Sequence, residues 1–379
     1  MKRLAARDPK HPGVNQLYAV TLAEEKQFER AIYFMQRAIA ADPGFAEFHV
    51  GLGMIKSNTP DWRGAVAAFR RALEVDPRHA GAMALLGLIL CDKGEVKEAE
   101  GLLRRAMEVD PGRVDAALTL SRLLLETFRV GEALTLLRKL DAAHPDDAEV
   151  LSQLCFAQNY AWDMRAEETV EAARRYGRVV ARMTPPLPRV ALKAGDRDRP
   201  LRVGYLSPDL REHSVSYFLE PVLRGHDRGR FEVFCYHTGG HVDGTTERLR
   251  GLCGAGWRHA YMVKDEELAE TIRKDGIDIL VELAGHSSQQ RLALMARRPA
   301  PVQASYIGYA ATTGLAEIDY RIVDAVTDPA GAERLAVERL ERVEGCFLCY
   351  RPPADAPEAG DEAAIVQGHD RRHGGVTFG

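Results

Sequence analysis

The chain has 379 residues, room for two to three domains at roughly 150 residues each. With 46% hydrophobic, 28% charged and 7% aromatic residues, and with 33 Gly and 19 Pro, it is neither disordered throughout nor collagen-like. Its 51 Lys+Arg against 55 Asp+Glu leave a net charge of -4, so no overall basic field is present to hold nucleic acid by counterion release. Six cysteines (Cys91, Cys155, Cys235, Cys253, Cys346, Cys349) are too sparse for a secreted disulfide framework and fit a reducing compartment. The N-terminus has positive charge but no apolar run after it, and the longest apolar stretch, 82–91, is too short to span a bilayer. A cytoplasmic protein without membrane partners is expected.

The first half is periodic. Pro9, Pro43, Pro77, Pro111 and Pro145 recur every 34 residues, the first four each after Asp. The unit at 46–79 has Leu52 and Gly53 in its first half and Ala65, Phe69 and Ala72 in its second. The next unit repeats this with Leu86, Gly87, Ala99, Leu103 and Ala106. Spacings of four and three put the second-half positions on one helix face. This pattern resembles the tetratricopeptide repeat, an α-solenoid of stacked helix pairs, over residues 1–147. Residues 148–200 depart from the repeat and read as capping helices and linker, the linker proper being the Pro-rich stretch 184–200.

From residue 201 the pattern becomes short apolar runs (201–206, 231–236, 277–283, 302–306, 320–323) separated by helical ones (about 214–224, 265–274 and 289–296). Such alternation argues a parallel α/β sheet with crossover helices and ligands at the carboxyl ends of its strands. After the first run come Asp209, His213 and Ser214, with His213 at or near a helix N-terminus, where backbone N–H groups would depress its proton affinity. A neutral histidine there can take a proton from a hydroxyl; the alternative is that it only caps or packs. His286 follows the third run in an equivalent place. Tyr309, Thr312, Thr313 and Gly314 form a small hydroxyl-bearing turn after the fourth.

Other motifs carry less. Cys346 and Cys349 have redox or zinc spacing but no second pair, and read as two buried strand residues. His237 and His241 lack a third ligand, Arg297 and Arg298 read as solvated, and the usual dinucleotide and P-loop fingerprints are missing.

The order Leu201-Arg202-Val203-Gly204-Tyr205-Leu206-Ser207-Pro208-Asp209, His213-Ser214, 230–236, 275–281, Gly285-His286, 298–303, Gly308-Tyr309, Thr312-Thr313-Gly314 and Asp319-Tyr320 is similar to the protein O-linked N-acetylglucosamine transferase family, bacterial type, over 201–353. The resemblance implies a GT-B architecture, of which 201–353 is the first Rossmann-like lobe. It implies transfer of N-acetylglucosamine from UDP-GlcNAc to Ser or Thr hydroxyls of protein acceptors, with no metal or other cofactor. His213 matches the family's active-site histidine on the acceptor side. The turn at Thr312, Thr313 and Gly314 matches the loop facing the donor sugar. The candidate site is therefore His213 as catalytic residue, with Asp209, Ser214, His286, Tyr309, Thr312, Thr313 and Gly314 binding substrate.

The family's second lobe carries the UDP-binding residues, among them a phosphate-contacting lysine. Here 354–379 reads as linker and the opening strand of that lobe, so the chain alone is expected to be an incomplete, inactive portion. Ala310 and Ala311 stand where the family has a Pro-containing pair. Leu17, Gly51, Leu85 and Thr119 stand where the animal enzymes have an asparagine ladder. An interaction adaptor working through the repeat groove, or a transferase using another sugar nucleotide, are the alternative functions.

Overall fold

The computed structural model describes residues 11–189, 199–287 and 289–351; 354–379, read above as linker and opening strand, lies outside them. Among the described residues five helix pairs precede the sheet: α1 (Pro12–Glu24) with α2 (Phe28–Ala41), α3 (Ala46–Ser57) with α4 (Trp62–Val75), α5 (Ala80–Asp92) with α6 (Val96–Val109), α7 (Val114–Glu126) with α8 (Val130–Ala143), and α9 (Ala148–Gln158) with α10 (Ala166–Met183).

The periodic proline explains where the second helices stop. A residue before proline is pushed out of the α region. Asp42, Asp76, Asp110 and His144 accordingly sit at φ between -129° and -147° with positive ψ. Each still donates its N–H into the helix it ends, to the carbonyls of Ala38, Ala72, Ala106 and Leu140. The next first helix restarts on a polar cap in several units: His79 Nδ1 accepts from Ala82 N at 3.0 Å and Asp147 from Val150 N at 3.1 Å.

Pair packing follows from size complementarity at the repeat positions. Ala65, Phe69, Ala72, Ala99, Leu103 and Ala106 are fully buried. A Cβ on Gly53 would lie 2.5 Å from the Phe69 ring, and one on Gly87 2.8 Å from Leu103 Cγ. Gly53→Val is therefore expected to lower stability by about 2–3 kcal/mol through overpacking. Gly101→Ala, on an open stretch of α6, should raise it by up to about 1 kcal/mol through helix propensity. Urea midpoints of the two variants check both.

First helices touch first helices all along the stack, α1 with α3, α3 with α5, α5 with α7 and α7 with α9, while the second helices splay apart. The array therefore curves with α1, α3, α5, α7 and α9 on its inner face.

The lobe is a seven-stranded sheet of β1 (Leu201–Ser207), β2 (Phe231–His237), β3 (Trp257–His259), β4 (Ile279–Glu282), β5 (Val302–Ser305), β6 (Tyr320–Val323) and β7 (Arg339–Arg342), in the order β3-β2-β1-β4-β5-β6-β7 and parallel throughout. Helices α11 (Ser214–Gly225), α12 (Gly244–Cys253), α13 (Asp265–Lys274) and α14 (Leu292–Ala296) connect the strands. The order reverses between β1 and β4, which makes the carboxyl ends of those two strands the switch point where ligands of doubly wound sheets sit.

Array and lobe share one core. Leu151, Tyr176, Val179 and Val180 of α9 and α10 pack with Leu280, Leu292, Met295 and Leu315 of the lobe. No described helix is long and apolar enough to cross a membrane.

Two readings of the sequence are corrected here. Cys346 and Cys349 are exposed loop residues after β7 instead of buried strand residues, because Asp324 Oδ2 holds Phe347 N at 3.1 Å and the Tyr306 hydroxyl holds the Phe347 carbonyl at 2.5 Å, turning the chain out of the sheet. Arg298 is buried, its guanidinium on both Asp319 oxygens at 2.7 and 3.0 Å and on the Glu317 carbonyl at 2.7 Å.

Candidate functional site

At the end of β1 the chain folds into a short loop pinned at both ends. Ser207 Oγ accepts from Asp209 N at 3.0 Å, and the Asp209 carbonyl accepts from Ser216 Oγ, in the first turn of α11, at 2.8 Å. His213 is the N-cap of α11, extended at φ -163° and ψ 152°, with Nδ1 accepting from Val215 N at 3.3 Å. Because Nδ1 takes that proton donor, a neutral His213 carries its own proton on Nε2. Nε2 lies 3.9 Å from Asp209 Oδ1, which is itself held by Arg211 at 3.2 Å. The imidazole is 36% exposed, and Ser214, the first residue of the helix, is exposed beside it. The arrangement presents an open imidazole, a carboxylate and a hydroxyl at the rim of the switch point.

The loop is braced from β2's side. Glu212 N donates to Asp243 at 2.8 Å and Thr245 Oγ1 donates to the Glu212 carboxylate at 2.9 Å, so α12 fixes the residue next to His213. Asp243 caps α12 in a reciprocal capping box with Thr246.

Across the switch point the structure places the other five candidates together, but against protein. His286 is buried at the foot of the array: Nε2 lies 3.0 Å from the Thr313 carbonyl and Nδ1 2.9 Å from Ser152 Oγ of α9. A carbonyl only accepts, so Nε2 carries the proton and Ser152 donates to Nδ1. Burial pushes the imidazole's pKa down to about 4, with its Thr313 hydrogen bond opposing. Tyr176 of α10 and Tyr309 stand edge-on to its ring at 4.6 and 5.2 Å.

Tyr309 donates its hydroxyl to the Cys155 carbonyl at 3.1 Å and accepts from Asn159 Nδ2 at 3.0 Å. Thr312 and Thr313 are fully buried on Glu338: Thr312 Oγ1 lies 2.5 Å from Oε2, Thr313 N lies 2.7 Å from Oε1, and Thr313 Oγ1 also donates to Oε1. Gly314, at φ +78°, lays its main chain on α10. The expected role of His286, Tyr309, Thr312, Thr313 and Gly314 in holding substrate is thus set beside a structural one. Their polar atoms are engaged by the repeat array and by Glu338, and they join array to lobe.

Two buried carboxylates went unread in the sequence. Glu282 closes β4 with Oε2 on Ala284 N and Gly285 N at 3.0 and 2.8 Å and with Oε1 on Ser305 Oγ at 2.6 Å; burial raises its pKa against those hydrogen bonds. Its signal was a lone acid ending an otherwise apolar run. Glu338, just before β7, left no such signal, since its neighbours Arg339 and Glu341 are charged as well.

Fold and site together define a tetratricopeptide-repeat protein fused to a doubly wound α/β lobe whose open polar groups gather at the switch point of the sheet. Residues 183–349 match Glycosyl transferase family 41, and residues 58–112 and 92–154 match tetratricopeptide repeats; the lobe is similar to that glycosyltransferase family, with repeats in front. SPINDLY of Arabidopsis thaliana, named as a probable UDP-N-acetylglucosamine–peptide N-acetylglucosaminyltransferase, is 39% identical over 238 residues, 62% of this chain and 25% of that protein. The UDP-N-acetylglucosamine–peptide N-acetylglucosaminyltransferase of Caenorhabditis elegans is 34% identical over 164 residues, 42% of this chain and 14% of that one. The solved structure of a mutant Thermobaculum terrenum O-GlcNAc transferase superposes with a TM-score of 0.77 at 35% identity, covering 83% of this chain and 60% of that one. The chain thus spans about a quarter of the length of the plant relative.

Proposed function

We propose that this chain forms the acceptor-side lobe and repeat domain of a cytoplasmic glycosyltransferase that moves N-acetylglucosamine from UDP-GlcNAc to Ser or Thr hydroxyls of proteins. The observation that carries the reading is the family match across the whole lobe, with the open His213 beside Asp209 at the switch point it covers. An attacking hydroxyl must lose a proton as the anomeric carbon gains positive character, and an imidazole at that rim is the group suited to take it. Doing so at Nε2 requires the other tautomer, with the Val215 cap released. The leaving diphosphate needs donors for its charge. Arg211, the cation beside His213, is held by Asp209, so the reading assigns the diphosphate to residues outside 199–351. No metal is invoked.

The test is incorporation of labelled sugar from UDP-GlcNAc into protein acceptors, by the chain as given and by a form extended to its relatives' length. Transfer is expected from the extended form only. In that form His213→Asn keeps an oxygen to cap α11 but removes the base, so kcat should fall about 100-fold or more with folding stability nearly unchanged. Full activity in His213→Asn would remove His213 from the chemistry, and absence of transfer by the extended form would overturn the reading.

A further inference from the structure

The loop that follows β7 carries both exposed cysteines, and the site at the switch point uses neither. Cys346 and Cys349 are open to solvent, whereas Cys91, Cys155, Cys235 and Cys253 are buried. Burial pushes the Cys91 and Cys155 thiols up to about 11 and about 12 and raises Cys235 as well. Those three stay protonated at neutral pH, and the thiolate is the form that attacks a disulfide.

The loop is shaped around its two cysteines. Gly345, at φ +82°, turns the chain out of β7 in a left-handed conformation that glycine adopts without strain. Phe347, between the cysteines, is fixed at both main-chain groups: its N–H donates to Asp324 Oδ2 at 3.1 Å and its carbonyl accepts from the Tyr306 hydroxyl at 2.5 Å. That hydroxyl is also hydrogen-bonded with the Cys349 thiol, and burial, then Cys349 and Cys346, raise its pKa. Both cysteines line one cavity of about 340 Å³, together with Tyr205 of β1, Val222 of α11, Ile322 of β6 and Tyr306. Residues at i and i+3 that border the same cavity are turned to one side of the chain, as a disulfide between them requires. Tyr350 then stands against Phe218 of α11, ring centroids 6.0 Å apart, so the loop straps β7 to the helix that His213 caps.

We propose that Cys346 and Cys349 form a reversible dithiol–disulfide site whose co-reactant is a low-molecular-weight disulfide such as oxidised glutathione. The thiolate of one cysteine attacks a glutathione sulfur and the first glutathione leaves; the second cysteine attacks the mixed disulfide on the protein sulfur and the second glutathione leaves. One S–S bond breaks for the one that forms, and two protons and two electrons pass from the loop to glutathione. In a reducing compartment such a bond is transient and reports the surrounding thiol balance. Holding Phe347 at both ends removes freedom that a free C-x-x-C segment must lose on ring closure, so closure is favoured in the folded chain. The site is independent of the transferase reading, since it touches neither donor nor acceptor.

Thiol counting by intact mass on the full chain under native conditions tests it. The reduced chain should take two maleimides. After equilibration with oxidised glutathione it should take none, weigh two hydrogens less, carry its link within the one peptide that holds both cysteines, and regain both thiols with dithiothreitol. Cys346→Ser and Cys349→Ser should each stop at a single glutathione adduct, because no second thiol completes the exchange; both positions are exposed, so folding should hold. In glutathione buffers the closure constant should be at least about tenfold larger for the chain than for a synthetic peptide of residues 344–351, and Tyr306→Phe should move it toward the peptide's value. Two glutathione adducts without a link, a link mapped to Cys235 and Cys253 instead, or a closure constant equal to the peptide's would each overturn the proposal.

Discussion

Gly314→Ala is expected to undock the repeat array from the lobe and lower stability by about 3 kcal/mol or more. A Cβ at Gly314 would stand 1.9 Å from the Ala173 carbonyl oxygen and 2.4 Å from its carbon, and those are backbone atoms of α10 with no rotamer to escape into. The residue is also at φ +78°, which costs an alanine roughly 1 kcal/mol more. The contact is reciprocal: a Cβ at Gly177 of α10 would stand 1.9 Å from the Gly314 carbonyl oxygen. Gly177→Ala should therefore give the same phenotype, even though alanine at an ordinary helical position would be stabilising. Because the two glycines share one contact, the double variant should cost less than the sum of the singles. Small-angle scattering should show an expanded particle for either single variant, and calorimetry a lowered or split transition. A variant with wild-type melting and dimensions would mean that the array and lobe are not joined through this seam.

What could be read in the sequence follows from where each signal is local. The 34-residue period was legible because each second helix is stopped by the residue before proline, a one-residue steric rule that holds at Asp42, Asp76, Asp110 and His144 alike. The strands β1, β2, β4, β5 and β6 were legible as apolar runs because both faces of the sheet are covered. The edge strands β3 and β7 were not: Arg258, His259, Arg339, Glu341 and Arg342 break their apolar pattern, as edges facing water allow. Helix α12 went unread because its composition is polar, and α14 begins at Leu292, three residues later than its apolar pattern suggests. Position after a strand correctly placed His213 and His286 at the carboxyl edge, but said nothing about what each faces. The partner of His286 is Ser152, 134 residues away and on a helix of the array. A polar turn open to solvent and one buried against another domain look alike until both domains are folded.

That difference between the two histidines gives the second large effect, a dependence of stability on pH carried by His286. Burial holds its pKa at about 4 in the folded chain, against about 6.5 when exposed. Above pH 6.5 the residue is neutral in both states and contributes no slope. Between 6.5 and 4 the unfolded chain binds a proton there that the native chain does not, so stability falls as pH drops, by roughly 3 kcal/mol in all. Glu282 works in the opposite direction: burial raises its pKa, the native chain takes up that proton first, and acidification in its window favours the fold. The term from His286 is therefore isolated as a difference between two proteins. His286→Gln can still donate to the Thr313 carbonyl and accept from Ser152 but does not titrate. It should be less stable than the parent at pH 7.5, because it loses the ring packed between Tyr176 and Tyr309, and the gap should narrow or invert on approaching pH 4. Urea midpoints measured across that range check it. Parallel curves for the two proteins would mean that His286 is protonated alike in both states, which a histidine sealed between Ser152 and Thr313 should not be.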